Sequence, residues 1–238
     1  MASFDMEIAG LTYHIVCVYD FAEKYCARYC IQDCGEHIIT VTQDDIDRER
    51  EICEREGTLC NVPDPFLETV CLLGKLADEI ISDNRVLMHG SAIAVNGKGY
   101  IFTAASGTGK STHTALLRQL HGKNAVMVND DKPILHIAED KIYVCGNPWN
   151  GKHNLGSNII VPLESIFFLR QSKENVLDTL VPGHAVSRLI AQCHRPSDPE
   201  KMLRSFDLFD QILTRVPLYD FGCNMDISAA ELSSSVMK

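Results

Sequence analysis

Apolar and polar positions alternate over residues 4–8, stop at Ala9-Gly10 and resume over residues 11–19, which predicts an opening β-hairpin. Residues 21–31 read as a helix and residues 37–41 as a short strand. Residues 43–56 are dense in charge, with Ile46, Ile52 and Cys53 interspersed, and predict a solvated helix. Asp64-Pro65 is an N-cap and first-turn pair. Behind it, apolar residues at 67, 70, 73, 76, 77, 80 and 81 keep a helical period.

From residue 86 the pattern turns to short strands. Residues 86–95 are a strand, Asn96-Gly97 is a strong hairpin signal, and residues 99–103 are the return strand. A glycine-containing loop and a helical run over residues 112–120 follow. Residues 125–128 are an apolar strand that ends in Asn129-Asp130-Asp131, and residues 133–137 with 142–145 make another hairpin. Residues 146–153 are loop by their Gly, Pro and Asn content, and hold the single tryptophan, Trp149. Residues 163–169 predict a buried strand, 182–194 and 199–214 helices, 216–221 a strand and 227–237 a final helix. The expected fold is α/β in the α+β sense. A mixed sheet with antiparallel hairpins spans residues 86–238, behind a small α+β region of residues 1–85.

Composition narrows the function classes. The 238 residues and 45% apolar content suit one large domain, or a core with a small partner domain. The net charge, 22 − 32 = −10, argues against nucleic acid or an anionic membrane as a partner. No apolar run reaches membrane-spanning length, and the first ten residues carry acids and no basic leader, so the expected location is cytoplasmic. A homo-oligomer is left open. The ten cysteines read as reduced thiols. Cys26, Cys30 and Cys34 recur every fourth residue, which would stack them on one helix face. Without a C-x-x-C pair or a matching histidine they read as packed small residues and not as a metal site.

The candidate chemistry lies in Ala104-Ala105-Ser106-Gly107-Thr108-Gly109-Lys110-Ser111-Thr112, between a strand and a helix. That is the context of a phosphate-binding loop, with Ala104 standing where the usual pattern has its first glycine. Gly107 and Gly109 let backbone N–H groups crowd round phosphate oxygens, and the helix N-terminus adds unpaired donors. Lys110 can reach β- and γ-phosphates, and the Ser111 hydroxyl can ligate Mg²⁺. Phosphoryl transfer also needs a carboxylate that takes the acceptor's proton. Asp130 is expected in that role. Asp131, on the opposite face of the strand end, is expected at the metal.

With these residues in view, the chain resembles the catalytic domain of HPr kinase/phosphorylase, and more closely the short, stand-alone HPr-kinase-like proteins, within the phosphoenolpyruvate carboxykinase-type fold. The resemblance rests on Met88-His89-Gly90, on Ser106 to Thr112, on Asn129-Asp130-Asp131 and on Asn147-Pro148-Trp149-Asn150-Gly151-Lys152, over about residues 86–238. It implies ATP and Mg²⁺ as cofactors, and places His89 and Asp130 at the transferred phosphoryl group. Trp149 is expected to be packed, and Lys152 to be either solvated or in contact with phosphate or acceptor. The leading expectation is an ATP-dependent kinase acting on a hydroxyl of a protein, a peptide or a small metabolite. A nucleotide-binding or sensing module with little turnover is the alternative, and a carboxykinase is a third, weaker reading.

Overall fold

The structure, a computed structural model, describes residues 2–58, 61–151 and 153–237. The chain forms two compact units divided between Glu79 and Ile80, where the sequence placed the boundary after residue 85.

The first unit contains β1 (Ala2–Ile8), β2 (Leu11–Cys17), α1 (Phe21–Tyr25), β3 (Cys30–Ile31), β4 (His37–Thr40), α2 (Gln43–Glu56) and α3 (Asp64–Glu79). Among the described residues its sheet has the order β3-β1-β2-β4. β1 and β2 are the expected antiparallel hairpin, turning at Ala9 and Gly10, both at positive φ. Thr42 starts α2 with a capping box: its hydroxyl accepts from the Asp45 amide, and the Asp45 carboxylate accepts from the Thr42 amide. On α3, Glu68 is fully buried and accepts from the amides of Val18 and Tyr19 at 2.6 and 3.2 Å.

One expectation fails in this unit. Residues 21–31 are not one helix. α1 stops at Tyr25, residues 27–29 make a tight 3₁₀ turn, and Cys30 is extended and pairs with Met6 of β1. The cysteine spacing is therefore not a helix face: Cys26 ends α1, Cys30 lies in β3 and Cys34 sits in the loop beyond it. The ladder to β1 and the burial of Tyr29 outweigh the local helical preference.

The second unit contains β5 (Arg85–Leu87), β6 (Ser91–Val95), β7 (Lys98–Thr103), α4 (Lys110–His121), β8 (Ala125–Asn129), β9 (Ile134–Ile137), β10 (Ile142–Cys145), β11 (Ile160–Gln171), β12 (Val176–Thr179), α5 (Pro182–Gln192), α6 (Pro199–Arg215), β13 (Leu218–Cys223) and α7 (Ile227–Ser234). Its sheet runs β5-β9-β10-β11-β7-β6-β8, with β13 also paired to β11 and β12 to β13. β7, β11 and β13 are mutually parallel, and the other pairings are antiparallel. The fold is thus mixed α+β. One apolar cluster includes Ile101, Val128, Ile166, Phe168 and Leu208; the other includes Phe102, Leu117, Phe167 and Phe221.

The expected hairpin into the loop is present as β6 and β7, joined at Asn96-Gly97 with both φ angles positive. Its first strand is shorter than expected. Residues 86–95 break at Met88–Gly90, and β5 pairs with β9 instead. The break has its own partners: the His89 amide bonds Gln192 O at 2.7 Å and the Gly90 amide bonds Asp131 O at 3.0 Å. A related change shortens α5, which ends at Gln192 because Cys193 is extended and bridges Met88. β12 was not anticipated. Its short, mostly exposed run carries too little apolar pattern to read.

His113 of α4 is 2% exposed, with its ring centroid 4.6 Å from Phe102 and 5.1 Å from Phe221. Ser233 Oγ gives its proton to Ala230 O, so it accepts from His113 Nε2 at 3.0 Å. Burial pushes the imidazole from 6.5 down to about 4. The folded-state value is depressed, so this contribution to stability is present in full above the unfolded value. It is lost as pH falls from about 6.5 to about 4, where the unfolded chain binds a proton that the folded chain refuses. The loss is at most roughly 3 kcal/mol. Replacing His113 by Phe should flatten the fall in urea midpoint across that window. An equally steep fall in the variant would contradict the assignment.

Candidate functional site

β7 ends at Thr103 and the chain turns through residues 104–109 into α4. Gly107 has φ 78° and Gly109, the N-cap, φ 116°, conformations that L side chains rarely adopt. The first bond of α4 runs from the His113 amide to Gly109 O at 2.9 Å. The amides of Lys110, Ser111 and Thr112 therefore precede the helical ladder and are available to an anion. Lys110 is buried, and its ammonium donates to Ala104 O at 3.0 Å and Ala105 O at 3.3 Å. Burial depresses its proton affinity; Asp131 and Asp130 oppose this, and Lys132 adds to it.

Asp130 and Asp131 follow β8. Asp130 is 6% exposed, and its Oδ1 accepts from Ser91 Oγ of β6 at 2.6 Å. Ser91 Oγ also lies 2.9 Å from Thr114 Oγ1 of α4, where it acts as acceptor because its proton is already given to Asp130. A cavity of about 390 Å³ is lined by Asp130 together with Ser111, Thr112, Thr114, Arg118 and His153. Asp131 faces the other way: its Oδ1 is 3.6 Å from His89 Nε2, an electrostatic neighbour beyond hydrogen-bond range. His89 Nδ1 is 3.1 Å from Gln192 Oε1, and an amide oxygen accepts, so Nδ1 carries the proton. Burial, reinforced by Lys110 and Lys132, pushes the His89 pKa down, and the ring is neutral at neutral pH.

The turn that carries the two aspartates is pinned by Asn129, which is fully buried. Its Oδ1 accepts from the amides of Asp131 at 2.9 Å and Lys132 at 2.6 Å. Its Nδ2 lies within reach of Asn147 Oδ1 at 3.1 Å and Trp149 O at 3.2 Å. Asn147 closes the ring by donating to Lys132 O and accepting from the Trp149 amide. Trp149 is buried, while Lys152 lies outside the described residues.

The structure thus brings Lys110, Asp130, Asp131 and His89 around one helix N-terminus, with Ser111 on the Asp130 side. Sequence reading missed Ser91, Thr114, Gln192, Asn147 and the pinning role of Asn129. Ser91 left a faint signal, as the single hydroxyl in the apolar run of β6. Gln192 left none, since 103 residues separate it from His89.

Two further hollows flank the loop. One of about 310 Å³, on the side of Gln192, is lined by Thr103, Ala104, Ala105, Ser187 and Arg188. The other, of about 360 Å³, lies against Gly107, Thr108, Gly109 and Thr112. Among the described residues no group of three or more His, Cys, Asp and Glu could hold a metal unaided, and no helix is long and apolar enough to cross a membrane.

No protein-family model matches the chain, and no curated protein does. Among solved structures, the chain is similar to the Hpr(Ser) kinase/phosphatase from Coxiella burnetii. The identity is 11%, the match covers 63% of this chain and 87% of that one, and the TM-score is 0.38. A score that low leaves function to be argued from the site.

Replacing Asn129 by Leu removes a buried amide and leaves the amides of Asp131 and Lys132 without an acceptor. It should lower stability by roughly 2–4 kcal/mol in urea titration. A variant as stable as the parent would show that the aspartate turn holds itself.

Proposed function

We propose that the chain is an ATP-dependent phosphotransferase that moves the γ-phosphoryl group of Mg·ATP to a hydroxyl of a protein, a peptide or a small metabolite. The observation that carries this is the convergence of a lysine, a loop hydroxyl, two carboxylates and a neutral histidine on one glycine-loop helix N-terminus. The amides of the loop and of Lys110 to Thr112 hold the phosphates, and Lys110 leaves the carbonyls of Ala104 and Ala105 to neutralise the β- and γ-oxygens. Mg²⁺ bound with the triphosphate supplies charge neutralisation at those oxygens. The donor set fits it: Ser111 and Asp130 are hard oxygen ligands lining one cavity, and Mg²⁺ takes most of its remaining ligands from phosphate and water.

This geometry favours exchanging the expected roles of the two aspartates. Asp130 shares its cavity with Ser111 and suits the metal side. Asp131, beside His89, suits the acceptor. Its carboxylate takes the hydroxyl proton as the new O–P bond forms and the bond to the leaving ADP oxygen breaks.

Lys110→Ala should weaken Mg·ATP binding by about tenfold or more in calorimetry; equal binding by variant and parent would end the phosphate reading. Incubation with γ-labelled ATP and a lysate of the source cells should label one acceptor. Label transfer in Asp131→Asn should fall by about 10²–10⁴ with nucleotide affinity nearly unchanged. In Asp130→Asn, the gain in ATP affinity from Mg²⁺ should shrink. If label transfer survives in Asp131→Asn and is lost in Asp130→Asn with Mg²⁺ dependence intact, the base is Asp130. A parent protein that binds ATP and neither transfers nor hydrolyses it is the nucleotide-sensing module.

A further inference from the structure

The sheet of the first unit ends at β4, which is bonded to β2 on one edge and, among the described residues, to no strand on the other. The groups on the open edge follow from the pairing. The Val41 amide donates to Val16 O at 2.9 Å, so it points at β2. Successive residues of a strand turn their backbone groups to opposite edges, so His37 and Ile39 also face β2, and Ile38 and Thr40 face outward. Lys75 of α3 covers one outward group, donating its ammonium to Thr40 O at 2.8 Å. Among the described residues, the Ile38 N–H, the Ile38 C=O and the Thr40 N–H are left for a further strand. The Ile38 side chain also stands out in water, 72% exposed. An open edge with an exposed β-branched residue is a template for pairing with another chain.

The charge of the chain selects what pairs there. Residues 1–79 carry 6 Lys and Arg against 17 Asp and Glu, 6 − 17 = −11, and residues 80–238 carry 16 against 15, 16 − 15 = +1. The whole negative excess therefore lies in the unit that holds the edge. Around β4 it is at the surface: Asp33 and Glu36 precede the strand, Asp44 and Asp47 follow it, and all four are exposed. Lys75 is committed to Thr40 O and to Asp45, 2.6 Å away. Such a field repels a second copy of the same edge, an anionic lipid surface and nucleic acid, and attracts a cationic chain.

We propose that the outer edge of β4 docks an extended, Lys- and Arg-rich segment of a partner protein, which joins the sheet as a strand beside Ile38. The main chain of the segment meets Ile38 and Thr40, an apolar side chain lies along Ile38, and basic side chains reach the carboxylates at either end of β4. In strand addition the main-chain bonds give affinity and the flanking side chains give selectivity. This surface belongs to the first unit alone and is independent of the phosphate reading of the loop.

A short labelled peptide of alternating Lys and Val is the probe, with its Glu and Val counterpart as control, each titrated with the full chain by fluorescence anisotropy. The basic peptide should bind about tenfold or more tightly than the acidic one, and the difference should shrink as salt is raised. In hydrogen exchange it should protect the amides of Ile38 and Thr40. Ile38→Pro removes an outward amide at an edge position, where proline is tolerated, and should weaken the basic peptide by about tenfold. Glu36→Gln together with Asp44→Asn leaves the edge amides in place and should make the salt dependence shallower. Equal binding of the two peptides overturns the proposal, as does basic-peptide binding that leaves Ile38 and Thr40 unprotected. A chain that dimerises in sedimentation and loses the dimer in Ile38→Pro assigns the edge to a second copy and overturns it as well.

Discussion

The site depends on the confinement of β7. It is hydrogen-bonded to β6 on one edge and β11 on the other, and residues 99–103 are all buried. The fit is close enough to dictate sequence. A Cβ at Gly99 would come within 2.4 Å of Val144 Cγ1 and 3.1 Å of Pro162 O. A strand with no free edge and no slack gives the loop at its end a fixed origin. The remaining parts of the site are then placed relative to it: β6 brings Ser91, β8 brings the aspartates, and the open breaks between strands bring His89.

Much of this frame could be read from the sequence, because it is written locally. Asn96-Gly97 encodes a hairpin within two residues, and the glycine-lysine loop encodes its strand and helix neighbours. What could not be read is long in range. His89 is oriented by Gln192, the aspartate turn by Asn147, and Asp130 by Ser91, and no spacing rule links those positions. The strand expected over residues 86–95 is broken for the same reason: the amides of Met88, His89 and Gly90 donate to the carbonyls of Pro133, Gln192 and Asp131, partners that periodicity does not see. The cysteine run failed in the opposite way. Its spacing is helical, and the pairing of Cys30 with Met6 overrides it.

The polar groups of the site are held by several hydrogen bonds each. Asn129 uses both ends of its amide on backbone and neighbour, and Ser91 serves Asp130 and Thr114 at once. Such groups need little reorganisation when charge develops beside them, which is how preorganised sites stabilise a transition state. The cost is borne by desolvation, visible in the depressed proton affinities of Lys110 and His89.

If the loop binds phosphate as proposed, the resting position of Lys110 makes that binding an exchange. Its ammonium is already solvated by two carbonyl oxygens, so a polyphosphate must displace Ala104 O and Ala105 O, which then turn to water. The exchange also changes the proton inventory. A buried amine with lowered basicity regains it when phosphate oxygens arrive, so in alkaline solution binding draws a proton from the buffer. Affinity then weakens as the solution becomes more basic, and the heat released depends on which buffer gives up the proton.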